Sequence, residues 1–229
     1  MDLRLIERLI EKNITLSELM NILKRESPST YEHCIRVGYL SYLVAKECFL
    51  SKEDCRLIAM GGLLHDIGKI AIPERIILKP SALSDSEWQK MLRHPATGFF
   101  ICKNKVPQMV LNCILFHHER GDGSGYMEGI KLDEIPFEAR ITAVCDSYDA
   151  MTNVRAYNEP MSERDAFEWL KKEAENEKYD TAVLNSLARV RESVEHVRNG
   201  KIKIVESISS NKEIRVGHID RQKYYNHLE

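Results

Sequence analysis

Hydrophobic residues recur along this chain at the spacing of α-helices. Two short apolar stripes lie within residues 2–25, and Thr15 with Glu18 forms a capping pattern that predicts where the second helix begins. Ser51, Ser84 and Ser162 each stand three residues before an acidic residue and predict further helix starts. Helices are expected at about 27–48, 51–64, 84–93, from Pro95 onwards, and at 107–118, 135–153, 162–176 and 181–199.

Only the C-terminal tail alternates as a β-strand does. Residues 201–205 and 213–216 alternate polar and apolar positions around a polar turn, which predicts a hairpin. The expected fold class is therefore all-α, a helical bundle with a short C-terminal β-hairpin extension. We expect an N-terminal helical extension at 1–28, a main domain at 29–194 and a C-terminal extension at 195–229.

A histidine and an aspartate stand side by side where one of these helices ends. Residues 57–64 are apolar or glycine at every position, which indicates a helix buried on all sides. His65 and Asp66 follow, and burial of these polar groups is costly unless something pairs with them. A metal ion would satisfy both. Alternatively, His65 caps helix carbonyls and Asp66 pairs with Lys69, and these residues alone leave both interpretations open.

The composition is that of an ordinary globular protein. The chain has 229 residues, of which 43% are hydrophobic and 30% charged. A net charge of −2 and a pI near 6.5 argue against binding to duplex DNA. No apolar run approaches the roughly 20 residues of a membrane span, and the charged N-terminus differs from a signal peptide. Six cysteines without a C-x-x-C motif are typical of reduced core residues, so we expect a cytoplasmic protein.

Histidines and aspartates are the candidate metal ligands. Five of the eight histidines lie between residues 33 and 118, each at a predicted helix start, break or end. A single histidine of this kind is more often a core residue, but five of them with two aspartates favour a metal site. Imidazole and carboxylate ligands suit Fe, Mn, Zn or Ni, and seven of them fit two ions bridged by a shared carboxylate. The candidates are His33, His65, Asp66, His94, His117, His118 and Asp146.

Three local features near these ligands have alternative interpretations. His117 and His118 are adjacent, and helical neighbours point about 100° apart, so either the helix ends there or one ligates and the other supports. The glycine-rich residues 119–136 form either an ordinary loop or the lip of a substrate site. Asp146 and Asp149 share a helix face, so one could ligate while the other orients a histidine, unless both are exposed.

A series of motifs runs through the chain in order. They are His33-x-x-Arg36-Val37, His65-Asp-Ile-Gly-Lys69, His94-Pro-x-x-Gly98, His117-His-Glu-x-x-Asp-Gly-x-Gly-Tyr126, Ile135-Pro-x-x-Ala-Arg-Ile141, Asp146-x-Tyr-Asp-Ala-Met151 and Arg155-x-Tyr157. Over about residues 27–190 they resemble the HD-GYP branch of the HD phosphohydrolase superfamily. The resemblance implies an HD-type helical bundle with a di- or trinuclear iron or manganese-type centre. It also implies hydrolysis of cyclic dinucleotides, chiefly cyclic di-GMP, to a linear dinucleotide or GMP, in bacterial signalling.

The resemblance also implies roles for single residues. Asp66 would bridge two metal ions whose bound hydroxide attacks the phosphodiester, and Lys69 would neutralise phosphate charge or help to protonate the leaving oxygen. Arg155 would hold a substrate phosphate, and Tyr126 and Asp122 would also contact the substrate. One ion would be held by His33, His65 and Asp146, and the other by His94, His117 and His118.

The chain departs from the family pattern at three positions. Met127 replaces the proline of the GYP motif, so this loop lacks a fixed φ angle. Asn158 stands where the family often has a basic residue, which removes one charge from the phosphate side. Ser29 stands where members with three metals have a glutamate, and its hydroxyl is a poor ligand, so two ions are favoured.

We therefore predict a metal-dependent phosphodiesterase with two divalent ions, Fe or Mn in preference to Zn or Ni. One alternative is a phosphohydrolase of another cyclic dinucleotide or nucleotide. Another is a cyclic-dinucleotide sensor or partner-binding module with weak turnover, which Met127 and Asn158 favour and the intact ligand set disfavours. Since about 28 residues precede the core, we expect regulation through a partner, or through a homodimer formed by the N-terminal helices.

Overall fold

The protein folds as a bundle of α-helices. The structure, a computed structural model, describes residues 4–153 and 160–190. Within these ranges it contains one 3-10 helix (Ile67–Ala71) and no β-strand beyond an isolated bridge. The all-α class is confirmed, whereas the predicted hairpin lies outside the described residues. The α-helices are α1 (Arg4–Lys12), α2 (Ile14–Glu26), α3 (Pro28–Glu47), α4 (Lys52–Leu64), α5 (Glu74–Ile77), α6 (Asp85–Leu92), α7 (His94–Cys102), α8 (Gln108–Phe116), α9 (Phe137–Thr152), α10 (Glu163–Glu175) and α11 (Thr181–Arg189).

Three of the four predicted capping residues cap a helix. The hydroxyls of Ser51, Ser84 and Ser162 accept hydrogen bonds from the backbone N–H three residues later, as expected. The capping pattern at Thr15 was wrong, because α2 already begins at Ile14. Its cap is Asn13, whose side chain accepts a hydrogen bond from the Leu16 N–H. A single residue therefore separates α1 from α2.

Two short helices form the segment that follows Asp66, between the helices expected at 51–64 and 84–93. The 3-10 helix precedes Pro73, and α5 lies between Pro73 and Pro80. Ile67, Ile70 and Ile76 are buried, so apolar contacts stabilise these short helices in spite of the prolines. This segment forms one wall of the cavity described below.

Helices α3 and α4 form the centre of the bundle, because glycines let their backbones approach closely. A Cβ atom on Gly62 would lie 2.8 Å from the Cα atom of Gly38, which is closer than side chains tolerate. Helices α8 and α9 pack on this pair. Residues 58–64 of α4 are all buried, which confirms the interpretation of that apolar stretch.

Two hydrophobic cores lie along the central pair. The first contains the apolar residues of α1 and α2 together with parts of α3, α4, α7 and α8. The second contains parts of α3 and α4 with α9, α10 and α11. Because the stripes of α1 and α2 are buried in the first core, the predicted boundary at residue 28 does not separate two cores.

None of the helices in the described ranges is both long enough and apolar enough to cross a bilayer. The six cysteines are free thiols.

Candidate metal centre

Seven candidate ligands from five parts of the chain meet in one place. His33 lies on α3 and Asp146 on α9, whereas the others lie where a helix starts or has just ended. Helix α8 ends at Phe116, so His117 and His118 are not held 100° apart by a helix and both imidazoles reach the cluster. This confirms the first of the two interpretations of that pair. The seven are His33, His65, Asp66, His94, His117, His118 and Asp146.

The carboxylate of Asp66 lies between two groups of imidazoles. Its Oδ1 lies 3.1 Å from Nε2 of His94 and 3.9 Å from Nε2 of His117. Its Oδ2 lies 3.7 Å from Nε2 of His33 and 3.5 Å from Nε2 of His65. Each oxygen therefore faces a different set of ring nitrogens.

The carboxylate of the second aspartate, Asp146, lies close to His33 and His65. Asp146 Oδ1 lies 3.0 Å from Nε2 of His33 and 3.7 Å from Nε2 of His65. Three groups have ligand atoms within 4.8 Å of one another: Asp66 with His94, His117 and His118; His33, His65 and Asp66; and His65, His117 and Asp146. The first two groups share Asp66.

Backbone carbonyls set the orientation of three of the rings. Nδ1 of His65, of His94 and of His117 lies 2.7–2.8 Å from the carbonyl oxygen three residues earlier. A carbonyl only accepts, so each Nδ1 donates, and in the neutral form of each ring Nε2 keeps its lone pair. This arrangement is common for histidines that bind metals.

At His33, the hydrogen-bond acceptor for Nδ1 is a carboxylate instead of a backbone carbonyl. Nδ1 of His33 lies 2.6 Å from Oδ2 of Asp149, and Arg36 donates two hydrogen bonds to the same carboxylate at 2.7 and 3.0 Å. Of the two aspartates on α9, Asp146 thus joins the cluster while Asp149 orients a histidine. The spacing of these aspartates did not reveal which one does which.

Buried polar atoms in the cluster lack partners of their own. Nε2 of His65 and Oδ1 of Asp66 are buried without a hydrogen bond. Nε2 of His94 lies 3.2 Å from Nε2 of His117, although both nitrogens carry lone pairs once their Nδ1 atoms donate. Such an arrangement is costly without a cation between the groups. The donor set of imidazoles and carboxylates therefore fits divalent metal ions.

The electrostatics favour the metal-binding form at three of the ligands, whereas at His65 burial is outweighed by the neighbouring Asp66 and Cys34, which raise the pKa well above its ordinary value. Burial would raise the pKa of Asp66, but Lys69 and His65 outweigh it and hold this pKa well below its ordinary value. Burial and the neighbouring imidazoles lower the pKa values of His117 and His118 well below the ordinary value. Ionised carboxylates and neutral imidazoles are the forms that bind metals.

Lys69 lies directly beside the cluster. Its Nζ donates to Oδ2 of Asp66 at 2.5 Å. The structural alternative to a metal site at His65 and Asp66 is therefore realised in part. His65 bonds a helix carbonyl, and Asp66 pairs with Lys69. This alternative does not account for the partnerless Nε2 of His65 and Oδ1 of Asp66.

The glycine-rich loop is attached to the cluster through Tyr126. The Tyr126 ring stacks on His118 with 4.6 Å between centroids and 24° between planes. Glu119, which is 2% exposed, accepts hydrogen bonds from the N–H groups of Glu128 at 2.7 Å and Gly129 at 3.1 Å. We did not predict this role from the sequence, although a glutamate directly after two ligands was a signal for it.

A cavity of about 660 Å³ opens beside the ligands and holds some of the predicted substrate contacts. Asp66, Lys69 and Tyr126 line it, as does Ser29. Asp122 is not among the lining residues, because its carboxylate accepts hydrogen bonds from the backbone and hydroxyl of Ser124 within the loop. Arg155, like Asn158, lies outside the described residues.

Comparison with known sequences agrees with this geometry. The HD domain family model matches residues 17–183. The chain belongs to the HD domain family. The resemblance to its HD-GYP branch, which rested on the motifs, is also confirmed.

Two curated relatives of this HD-domain protein are named for their activity. A "cyclic di-GMP phosphodiesterase response regulator RpfG" from Xanthomonas campestris is 37% identical over 80% of this chain and 49% of its own. A "cyclic di-GMP phosphodiesterase" from Thermotoga maritima is 42% identical over 66% of this chain and 42% of its own. The chain thus spans about half the length of these relatives or less.

A solved structure shares the fold. Bd1817 from Bdellovibrio bacteriovorus, described as a HDG"Y"P protein, superposes with a TM-score of 0.59. The match covers 70% of this chain and 51% of Bd1817, at 20% identity. This likeness supports the helical architecture of the HD domain.

Proposed function

We propose that this HD-domain protein is a metal-dependent phosphodiesterase that hydrolyses a cyclic dinucleotide to a linear dinucleotide or GMP. The proposed substrate is cyclic di-GMP. The observation that carries the proposal is the position of Asp66, whose two oxygens face two different groups of imidazoles. A carboxylate placed in this way suits a bridge between two ions. The names of the two curated relatives support the choice of substrate.

The proposed ligand sets start from the two clusters that share Asp66. His33 and His65, with Asp146 from the third group, would hold one ion, and His94, His117 and His118 the other. Mixed nitrogen and oxygen ligands favour Fe or Mn, with Zn or Ni as alternatives. Ser29 lines the cavity near His33, and because a hydroxyl is a weak ligand we propose two ions rather than three.

The chemistry divides between the ions and the side chains around them. When bound, two divalent ions supply Lewis-acid activation of water and of the phosphoryl oxygens. Lys69 would place its ammonium beside the scissile phosphate and donate a proton from Nζ toward the leaving oxygen. Tyr126 lines the same cavity and would contact the substrate while it holds the His118 ring in place. Arg155 remains the predicted phosphate contact from the sequence.

Metal analysis combined with product analysis tests the proposal. Protein purified with and without oxygen should contain about two metal ions per chain and convert cyclic di-GMP to linear product. Asp66→Asn should lose both metal ions and the activity. Asp133→Asn, a change in an exposed loop, should keep the metal ions and the activity. An active, fully metal-loaded Asp66→Asn protein would overturn the bridging role.

The same experiment separates the alternatives. Full metal content with tight cyclic dinucleotide binding and no product would favour a sensor, which is the outcome that Met127 and Asn158 would explain. Turnover of another cyclic dinucleotide in preference to cyclic di-GMP would change the substrate but keep the mechanism.

Two further expectations stay predictions. A homodimer through the N-terminal helices would have to use their outer faces, because Ile6, Leu16 and Leu23 are buried within the chain's own core. Ile14, which is 77% exposed, lies on such a face. Residence in the cytoplasm is expected from the sequence alone.

A further inference from the structure

One part of the cavity lining is largely apolar. It is formed by α5, the residues that follow it, and α6. A cavity lined both by charged groups and by apolar side chains suits a ligand that carries both phosphates and aromatic rings. The apolar lining residues of this wall are Ile76, Ile77, Leu78, Leu83, Trp88 and Met91.

Trp88 is the aromatic side chain of this wall. It lies on α6, lines the cavity and is 48% exposed. Among the described residues its ring stacks on no other ring and receives no cation. An indole at the edge of a cavity offers a flat surface on which a nucleobase can stack.

Asp85 stands one helical turn before Trp88. Residues three apart share a helix face, and both side chains line the cavity. Three cations that also line it each pair with another carboxylate: Arg36 with Asp149, Lys69 with Asp66 and Lys79 with Glu87. Within the described part of the chain the carboxylate of Asp85 has no such ion pair, so both of its oxygens can accept hydrogen bonds from a ligand.

Hydrogen bonds hold the start of α6, so the backbone that carries Asp85 and Trp88 is ordered. Ser84 and Glu87 form a reciprocal capping box around Asp85. Glu87 also accepts a hydrogen bond of 2.5 Å from Lys79, which ties the preceding loop to the helix. A binding surface ordered before the ligand arrives loses less entropy on binding.

We propose that α6 forms a guanine-selecting subsite, in which Trp88 stacks one base and Asp85 accepts its N1–H and 2-amino hydrogens. Adenine carries no N–H at N1 and no 2-amino group, so it could donate neither of these hydrogen bonds to the carboxylate. Stacking alone accepts any base, whereas a bidentate contact of this kind discriminates between bases. This inference rests on the proposed function, since it assigns the base-binding end of the same cavity.

The position of the two tryptophans allows a direct binding test. Trp169 on α10 is 40% exposed, approaches Tyr179 and does not line the cavity. The Trp169→Phe protein therefore reports on Trp88 alone, and the Trp88→Phe protein on Trp169 alone. The probes are the slowly hydrolysed phosphorothioate analogues of cyclic di-GMP and cyclic di-AMP, added to the metal-loaded full chain.

We expect the cyclic di-GMP analogue to quench the fluorescence of the Trp169→Phe protein and to leave that of the Trp88→Phe protein unchanged. Trp88→Ala should weaken binding about tenfold, while Trp88→Phe, which keeps a flat ring, should restore most of it. Asp85→Asn should reduce the preference for the guanine analogue over the adenine analogue from about tenfold to less than about threefold. Asp133→Asn is the matched control and should keep the preference.

The two proposals fail in different ways. Product formation from cyclic di-GMP without quenching of Trp88, or with an unchanged affinity in Trp88→Ala, would overturn the subsite and leave the phosphodiesterase intact. Quenching with the expected preference but without product would support the subsite and overturn the phosphodiesterase. An equal affinity of the unaltered protein for both analogues would overturn the role of Asp85.

Discussion

Oδ2 of Asp149 accepts a hydrogen bond of 2.6 Å from Nδ1 of His33, which turns Nε2 of that ring toward Asp66 and Asp146. Arg36 holds the carboxylate from the other side through two hydrogen bonds. The chain of contacts from Arg36 to His33 therefore decides which nitrogen is offered to the cluster. Because Asp149 is only 1% exposed, solvent cannot replace it.

Asp149→Asn should weaken metal binding by about 10- to 100-fold, because the amide no longer fixes the ring and its charge. Competition with a chelator of known affinity measures this change. Asp133→Asn, in an exposed loop, should bind metal as the unaltered protein does. An unchanged affinity in Asp149→Asn would show that the helix alone orients His33.

Gly68→Ala should destabilise the protein by about 1–3 kcal/mol or more, because overpacking is costly where backbone cannot move. A Cβ atom at this position would lie 2.0 Å from the carbonyl oxygen of His94 and 2.6 Å from the N–H nitrogen of Gly98. Thermal unfolding measures the loss, and metal analysis should show that the ion near His94 is lost first. Ser86→Ala on the exposed face of α6 should have little effect on either measurement. Unchanged unfolding and metal content in Gly68→Ala would contradict this packing.

Glu119→Gln should loosen the glycine-rich loop, because its carboxylate accepts two backbone N–H groups and an amide replaces one acceptor with a donor. We expect the amides of Glu128 and Gly129 to exchange hydrogen about tenfold faster, a change that corresponds to about 1.4 kcal/mol. Glu128→Gln removes an exposed carboxylate from the same loop and serves as the control. Equal exchange rates in both variants would argue that other contacts hold the loop.

The loop before α6 should respond to acid through Glu87. The hydrogen bond from Lys79 and that from the Ser84 N–H lower the pKa of Glu87 from 4.5 to about 2. A lowered pKa means that the folded state favours the charged form, so this contribution is complete above pH 4.5 and disappears as the pH falls toward 2. The thermal unfolding midpoint of Glu87→Gln should therefore be lower than that of the unaltered protein at pH 6. The two midpoints should approach each other near pH 2.

Salt provides the control for this prediction. The side chains of Glu87 and Lys79 are partly exposed to solvent, so added salt should reduce the difference at pH 6. A carboxyl resonance of Glu87 that titrates near 4.5 would contradict the pairing.

The sequence alone determined the helical class, most helix starts and the identity of the seven residues that meet. These are local properties: a serine cap acts within one turn, and ligands such as His65 and Asp66 stand where the apolar pattern ends. The capping error at Thr15 was also local, because Asn13 offers a competing cap two residues earlier. The order of the motifs was sufficient to recognise the HD family.

Only the tertiary structure decided how these residues divide their tasks. His33 and Asp149 are 116 positions apart, and no local pattern states that Asp149, rather than Asp146, supports the ring. The sequence also did not show that the Asp122 carboxylate accepts hydrogen bonds within its own loop. Nor did it show that Asp85 and Trp88 line the cavity, because the segment that contains α6 carries no recognised motif. Side-chain spacing within a helix shows which residues share a face, but what that face meets depends on the packing of helices distant in sequence.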